Sequence, residues 1–190
     1  LLNYSTNKFV FLFFERNIYN NTYWLSHTNK ERIEIFKNEY QFYNDSKLHV
    51  IPNYPPQSWA KSINKSYTSG NQEIKFVYIG AVSMQTMYFK EFLTWYKKYQ
   101  KLELHIYSFK IPEDLLVFIK TKHIKNVFFH GLVNYNSIPE VLSNYDVGLI
   151  LYSGHIINFV HNAPNKFFEY YNCGLDVWFP KEIKGLYPHI

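Results

Sequence analysis

Cysteine is almost absent: Cys173 is the single one in 190 residues. An internal disulfide framework is therefore excluded, and a reducing compartment fits. No His/Asn arrangement surrounds Cys173, so it reads as a small packed residue rather than a nucleophile. Glycine is scarce at seven, and neither a G-x-G-x-x-G nor a G-x4-GK[ST] loop occurs. Gly80 stands alone, which argues against a nicotinamide or flavin site and against a P-loop. H-E-x-x-H and paired C-x-x-C spacings are missing and the eight histidines are scattered, so no metal site and no cofactor is expected. A G-x-S-x-G elbow is missing too, which speaks against a serine hydrolase. No signal peptide is visible, and the longest strongly apolar run, Phe9 to Phe14, is far short of the ~20 residues a membrane helix needs. The formal charge of +5 suits an anionic ligand or a membrane surface. No Lys/Arg run marks a nucleic-acid arm, and nucleic acid is not an expected partner.

Aromatic residues are abundant, with 18 tyrosines and 17 phenylalanines, and the apolar share is ample for a packed core. The length fits one large domain or a domain and a half. The chain starts at Leu1 and stops at Ile190 just after a strand signal, so the expectation is a piece of a longer protein, cut at both ends.

Phe9 to Phe14 reads equally as buried strand or helical turn. Thr22–Ser26 reads as a strand. Asn29–Tyr43 reads as a helix, with Ile33, Phe36, Tyr40 and Tyr43 on one face and Thr28 or Asn29 as cap. Lys47–Ile51 is a short strand stopped by Pro52-Asn53-Tyr54-Pro55-Pro56. Residues 1–56 are expected to end one domain, 57–71, polar and rich in Ser and Lys, to form a linker, and 72–190 to form a second domain. There the rhythm is regular. Strands are expected at Ile74–Ile79, Leu102–Tyr107, Asn126–Phe129, Asp146–Leu151 and 175–179. Helices are expected at Met87–Tyr99, Pro112–Thr121, Ser137–Tyr145 and 164–173. Strands alternating with helices of about ten residues mean βαβ units, hence an α/β fold with a Rossmann-like parallel sheet and helices on both faces.

In such sheets ligands bind beyond the carboxyl ends of the strands. Three ends carry small or polar residues: Gly80-Ala81-Val82-Ser83, His130-Gly131-Leu132-Val133-Asn134-Tyr135, and Tyr152-Ser153-Gly154-His155. The last leads to His161–Gly174, HNAPNKFFEYYNCG, which reads as a loop turning into a short helix. Pro164 suits a first helical position, and Gly174 sits where the helix would stop. Lys166 and Glu169, three apart, share a face. A helix start carries unpaired N–H groups and partial positive charge, which suits a phosphate. Lysine there adds a full charge, and a carboxylate one turn in can hold the hydroxyl pair of a ribose. The plain alternative is a solvated first turn with an ordinary i,i+3 pair. His155 and His161 flank the third loop, where a lone histidine is more often a surface residue, and Asp146 reads as a turn or cap.

The order Y-I-G-A-V (78–82), V-F-F-H-G-L-V (127–133), I-P-E-V-L-S-N-Y-D-V-G-L-I (138–150) and A-P-N-K-F-F-E-Y-Y-N-C-G-L (163–175) resembles the carboxyl-terminal half of a GT-B glycosyltransferase of the bacterial capsule and lipopolysaccharide type. The likeness spans roughly Glu73 to the end. V-I-P-N-Y-P (50–55) is similar to the interdomain crossing of that family. The resemblance implies a nucleotide-sugar donor as substrate, with Gly80, Ala81 and Ser83 near the diphosphate. His130, Gly131 and Val133 would hold the base through backbone groups. Asn165 and Lys166 would meet the phosphates, and Glu169 the ribose. It also implies transfer to a glycan or lipid-linked acceptor in surface polysaccharide synthesis, at the cytoplasmic side of a membrane.

Two departures stand out. Many retaining members carry two glutamates with seven residues between them; Glu169 would be the second, and His161 occupies the first place, leaving His161 and Asn162 as donor-sugar contacts. Members also carry an Arg and a Lys soon after the first glycine, where Ala81 and Thr86/Met87 stand here. These departures keep open a non-catalytic Rossmann-like binding module. A nucleotide-sugar epimerase is the weaker reading, because no Tyr-x-x-x-Lys pair occurs. The aromatic and basic stretch Trp95–Lys101 leaves a peripheral membrane association open, although Tyr88–Tyr99 is explained as a buried helix face.

Overall fold

The structure is a computed structural model that describes residues 14–42, 44–61 and 73–190, and the side chains of all of these but Lys61. Most of the Phe9–Phe14 run, Tyr43 and much of the expected linker lie outside the described residues.

Residues 14–21 form helix α1. Strand β1 (Leu25–His27) pairs in parallel with β2 (Leu48–Val50), joined by helix α2 (Lys30–Tyr40). Asn29 caps α2 by accepting from the Arg32 N–H at 2.9 Å. The helix stops at Tyr40 rather than running to Tyr43, because Gln41 turns left-handed at φ 52° and the Phe42 N–H closes onto the Lys37 carbonyl. Phe36 is its buried anchor.

The second sheet has five strands: β3 (Ile74–Ile79), β4 (Leu102–Tyr107), β5 (Val127–His130), β6 (Val147–Leu149) and β7 (Asp176–Trp178). Their order is β5-β4-β3-β6-β7, and every pairing is parallel. The connections carry α3 (Phe89–Tyr96), α4 (Glu113–Thr121), α5 (Ile138–Leu142), α6 (Ile157–Val160) and α7 (Asn165–Asn172). Each expected strand and helix of this half is present: Ile74–Ile79 and Leu102–Tyr107 match their expected bounds, the strand at Asn126–Phe129 is shifted by one residue, and the other elements are shortened by at most three residues at either end.

Strand side chains alternate between faces, and so each strand feeds two cores. Phe76 and Tyr78 of β3, Leu102, Leu104 and Ile106 of β4, and Val147 and Leu149 of β6 pack with Phe89, Leu93 and Tyr96 of α3 and Leu115 of α4. On the opposite face, Val77 packs with Ile138 and Leu142 of α5 and with Phe167, Phe168 and Tyr170 of α7. Trp59 joins that second core, its ring 4.9 Å from that of Tyr135. The sheet is thus covered on both faces. Asp146 acts as a strand-start cap, its carboxylate accepting from the Lys75 N–H at 2.8 Å.

Tyr170 fixes α7 to the sheet. Its buried hydroxyl accepts from the Ile79 N–H at 3.0 Å. Its ring fills the space beside Gly148, where an added Cβ would lie 2.3 Å away. The helix ends at Gly174 (φ 70°), whose N–H reaches the Tyr171 carbonyl at 3.0 Å, while the Leu175 N–H reaches that of Tyr170. Pro164 sits one place earlier than expected, at the cap, with an extended ψ of 146°.

Candidate functional site

The carboxyl end of β3 turns at Gly80, whose φ of 139° is a conformation that side-chain-bearing residues rarely adopt. The Gly80 N–H donates to the Tyr107 carbonyl at 2.9 Å, which extends the β3–β4 ladder to the bend. Lys166, on the first turn of α7, reaches across to that bend. A Cβ built on Gly80 would stand 2.5 Å from the Lys166 Nζ, so glycine here leaves the room the ammonium occupies.

Two tyrosines enclose that ammonium. Nζ lies 4.7 Å from the centre of the Tyr78 ring and 5.3 Å from that of Tyr152, and donates to the Tyr152 hydroxyl at 3.3 Å. Both contacts have cation–π geometry. Tyr78 is itself pinned, donating its hydroxyl to the Ala81 carbonyl at 2.5 Å. The enclosure pushes the Lys166 ammonium down from its ordinary 10.5 to about 8, against the opposing pull of Glu169. Glu169 is buried at 8 % exposure. Burial raises its carboxyl above the usual range and the Lys166 charge restrains the rise. Glu169 acts in turn on Tyr152, and on Tyr135 just past the β5 loop, whose phenols are raised first by burial and then by its charge. The cation therefore stands at the bend after β3, and the buried acid one turn behind it on α7 acts on it and on the phenols of Tyr152 and Tyr135.

The remaining candidates fall into place unevenly. Ser83 accepts from the Thr86 N–H and donates to Gln85, both at 3.2 Å, shaping the turn after Gly80. His130 ends β5, and Gly131 follows in open space, with nothing within 4 Å of an added Cβ. Val133 packs against the α5–α7 core. Asn165 is exposed at the start of α7. His161 and Asn162 are turned toward α2 instead of toward Gly80. The His161 imidazole lies 3.1 Å from Glu31, its carbonyl accepts from Asn29 at 2.9 Å, and Asn162 accepts from Arg32 at 3.3 Å. His155 is exposed. Sequence reasoning missed Tyr78 and Tyr152 as companions of Lys166. Tyr152 stood within a quoted strand end, but nothing in its spacing pointed at a lysine 14 residues on.

The strand order sets how far apart the two loops stand. Two strand spacings separate β3 from β5, about 10 Å at ~4.8 Å per step. Gly80 and Lys166 stand at one end of that span and the Gly131–Val133 loop at the other.

Comparison with known proteins gives the architecture a reference. S. aureus TarM, solved as a mutant with fondaparinux, alpha-GlcNAc-glycerol and UDP, superposes with a TM-score of 0.52 at 14% identity over 83% of this chain. The pneumococcal O-GlcNAc transferase GtfA, solved with UDP and GlcNAc, gives 0.55 at 12% identity over 86%. This is the α/β fold of GT-B glycosyltransferase domains. The chain spans 30% of the TarM chain and 31% of the GtfA chain. No protein-family profile and no curated relative matches the sequence. At these identities the likeness is one of fold. Within that GT-B fold, the bend after β3 and the start of α7 meet at the carboxyl edge of the sheet, where doubly wound sheets bind ligands. No helix among the described residues is long and apolar enough to cross a membrane.

Proposed function

We propose that this edge of the sheet binds a nucleoside-diphosphate sugar and that the chain is the donor-binding part of a glycosyltransferase. The observation that carries the proposal is the meeting of Lys166 with Gly80, with Glu169 buried one turn behind. A diphosphate at the bend would take the Lys166 ammonium and the unpaired N–H groups that open α7, Asn165 among them. Glu169 would accept from the ribose hydroxyls, and the backbone of His130, Gly131 and Val133 would meet the base. The ~10 Å between the two ends matches the reach of a nucleotide from diphosphate to base. Ala81 and Ser83 would line the phosphate end.

The reaction would be glycosyl transfer with the nucleoside diphosphate as leaving group. Charge developing on that group is stabilised where preorganised donors already point. A helix terminus supplies up to ~2 kcal/mol, so Lys166 and direct hydrogen bonds carry the larger share. The nucleotide sugar enters as substrate, not cofactor. The acceptor would be a glycan or a lipid-linked glycan in surface polysaccharide synthesis of the capsule or lipopolysaccharide type, at the cytoplasmic face of a membrane. In this reading residues 1–56 close the acceptor-side domain, 57–71 link, and 72–190 hold the donor.

Uridine and guanosine diphosphates should raise the melting temperature, and Lys166→Ala should abolish the rise. No shift with any nucleoside diphosphate or nucleotide sugar would overturn the proposal. The second reading, a binding module without catalysis, is favoured by Ala81 and Thr86/Met87 standing where cations would reinforce phosphate binding. A protein that binds no nucleotide would support it.

A further inference from the structure

Nothing in that chemistry uses the side chain of His130. Its Nε2 lies 3.0 Å from His105 Nδ1 on β4, and His105 Nε2 lies 3.3 Å from the Glu103 carboxylate. The His130 ring stacks on Tyr107, with centroids 4.3 Å apart and planes 14° from parallel. Lys75 on β3 faces Glu103 at 3.6 Å. Tyr145, after α5, stands 4.9 Å from the His105 ring and shares a 2.7 Å hydroxyl contact with Tyr107. These are the titratable groups that face the pair from β3, β4 and the end of α5.

The contacts order the protons. An ionised carboxylate only accepts, so His105 carries hydrogen on Nε2. In the neutral ring its Nδ1 is then the acceptor, and His130 donates through Nε2–H. One added proton is accommodated: His105 then donates to Glu103 and to His130 together, and His130 takes the other tautomer. A second added proton places N–H on both facing nitrogens, and the bond is lost. His130 immediately precedes Gly131, around which there is open space, so the histidine is the last side chain anchoring the loop before Val133 repacks.

We propose that the His105–His130 hydrogen bond is a positioning device that sets the Gly131–Val133 loop, and that double protonation of the pair releases it. This rests on the reading of that loop as the base-side wall of the nucleotide site. Burial first, and His105's charge second, hold the His130 imidazole below its ordinary 6.5, so release falls on the acid side of that value.

Nitrogen-15 NMR of the whole labelled chain tests the pair without a ligand. At about pH 7.5, above the ordinary histidine range, His130 should show the Nε2–H tautomer. On acidification the Gly131 amide should shift together with the second protonation, and His105→Leu should abolish that coupled shift. His105→Asn keeps an acceptor near the place of Nδ1 and removes one charge, so it should move the transition toward the ordinary value. An Nδ1–H tautomer on His130 at the starting pH, or a Gly131 amide indifferent to the titration, would overturn the proposal. In calorimetry with uridine diphosphate, the affinity lost between about pH 7 and 5 should be greater in the unaltered chain than in His105→Leu. The ligand's own protonation is common to both. If uridine diphosphate binds neither chain, the donor-site reading falls while the tautomer still decides the device.

Discussion

Lys166 offers the sharpest handle on the site, because its charge is conditional. With its ammonium brought down to about 8, the side chain is about nine-tenths protonated near pH 7 and about one-tenth near pH 9. A bound diphosphate favours the charged form and restores the ordinary value. Binding then takes up a proton wherever the empty site has lost one. The folded value is depressed, so the chain itself gains stability as pH rises from about 8 toward 10.5, the range in which the unfolded state holds more protons. Ligand affinity moves the other way. It should fall about tenfold between pH 7 and 9, the ratio of the two protonated fractions. The diphosphate loses its last proton near ~6, so its own ionisation changes by only about a tenth over this range. Calorimetry in two buffers of different ionisation enthalpy reads both quantities, and near pH 9 proton uptake should approach one per ligand. Lys166→Met should lose the slope and the uptake together and weaken binding by about 1.5–3 kcal/mol, the worth of a charged hydrogen bond. An affinity flat from pH 7 to 9, or a slope that survives in Lys166→Met, would refute the reasoning.

Other outcomes follow from the same geometry. Glu169→Gln should erase the preference for a ribose over a 2′-deoxyribose nucleotide, read as a ratio of dissociation constants, and, with the carboxylate's upward pull on Lys166 gone, should move the Lys166 slope to lower pH. Gly80→Ala strains a backbone at φ 139° and intrudes on the ammonium; it should cost about 1–3 kcal/mol of stability and reduce nucleotide affinity, measured by denaturant unfolding and calorimetry. Tyr170→Phe leaves the Ile79 N–H without the acceptor it has at 3.0 Å and should cost about 1–3 kcal/mol in urea unfolding. Glu31→Gln weakens a half-exposed contact with His161 and should change stability by less than about 1 kcal/mol.

Much of the second half was legible because its elements obey local rules. Ile74–Ile79 is rich in β-branched and aromatic residues, and Leu102–Tyr107 alternates Leu102, Leu104 and Ile106 with Glu103 and His105. Pro112, Pro164 and Gly174 punctuate helices as their backbone restrictions dictate. The convergence of Lys166 and Gly80 followed from topology, since parallel strands bring their carboxyl ends to one edge. What local rules do not carry are pairings between distant parts of the chain. His161 and Asn162 stood beside the helix start in sequence, yet their partners Glu31, Asn29 and Arg32 lie some 130 residues away. The enclosure of Lys166 by Tyr78 and Tyr152 is of the same kind, hidden among many tyrosines. Trp59 sits in a stretch read as linker because its neighbours are polar; a single indole, docked on Tyr135, gives those residues a place in the core. The four-residue α6 is too short for any periodicity to reveal it.

The most direct measurement is a crystal structure of the chain soaked with uridine diphosphate. The diphosphate should lie between the Gly80 bend and the start of α7, with an oxygen within hydrogen-bonding distance of the Lys166 Nζ and the ribose hydroxyls on Glu169. A nucleotide bound on another face of the sheet, with Lys166 still resting on the rings of Tyr78 and Tyr152, would contradict it.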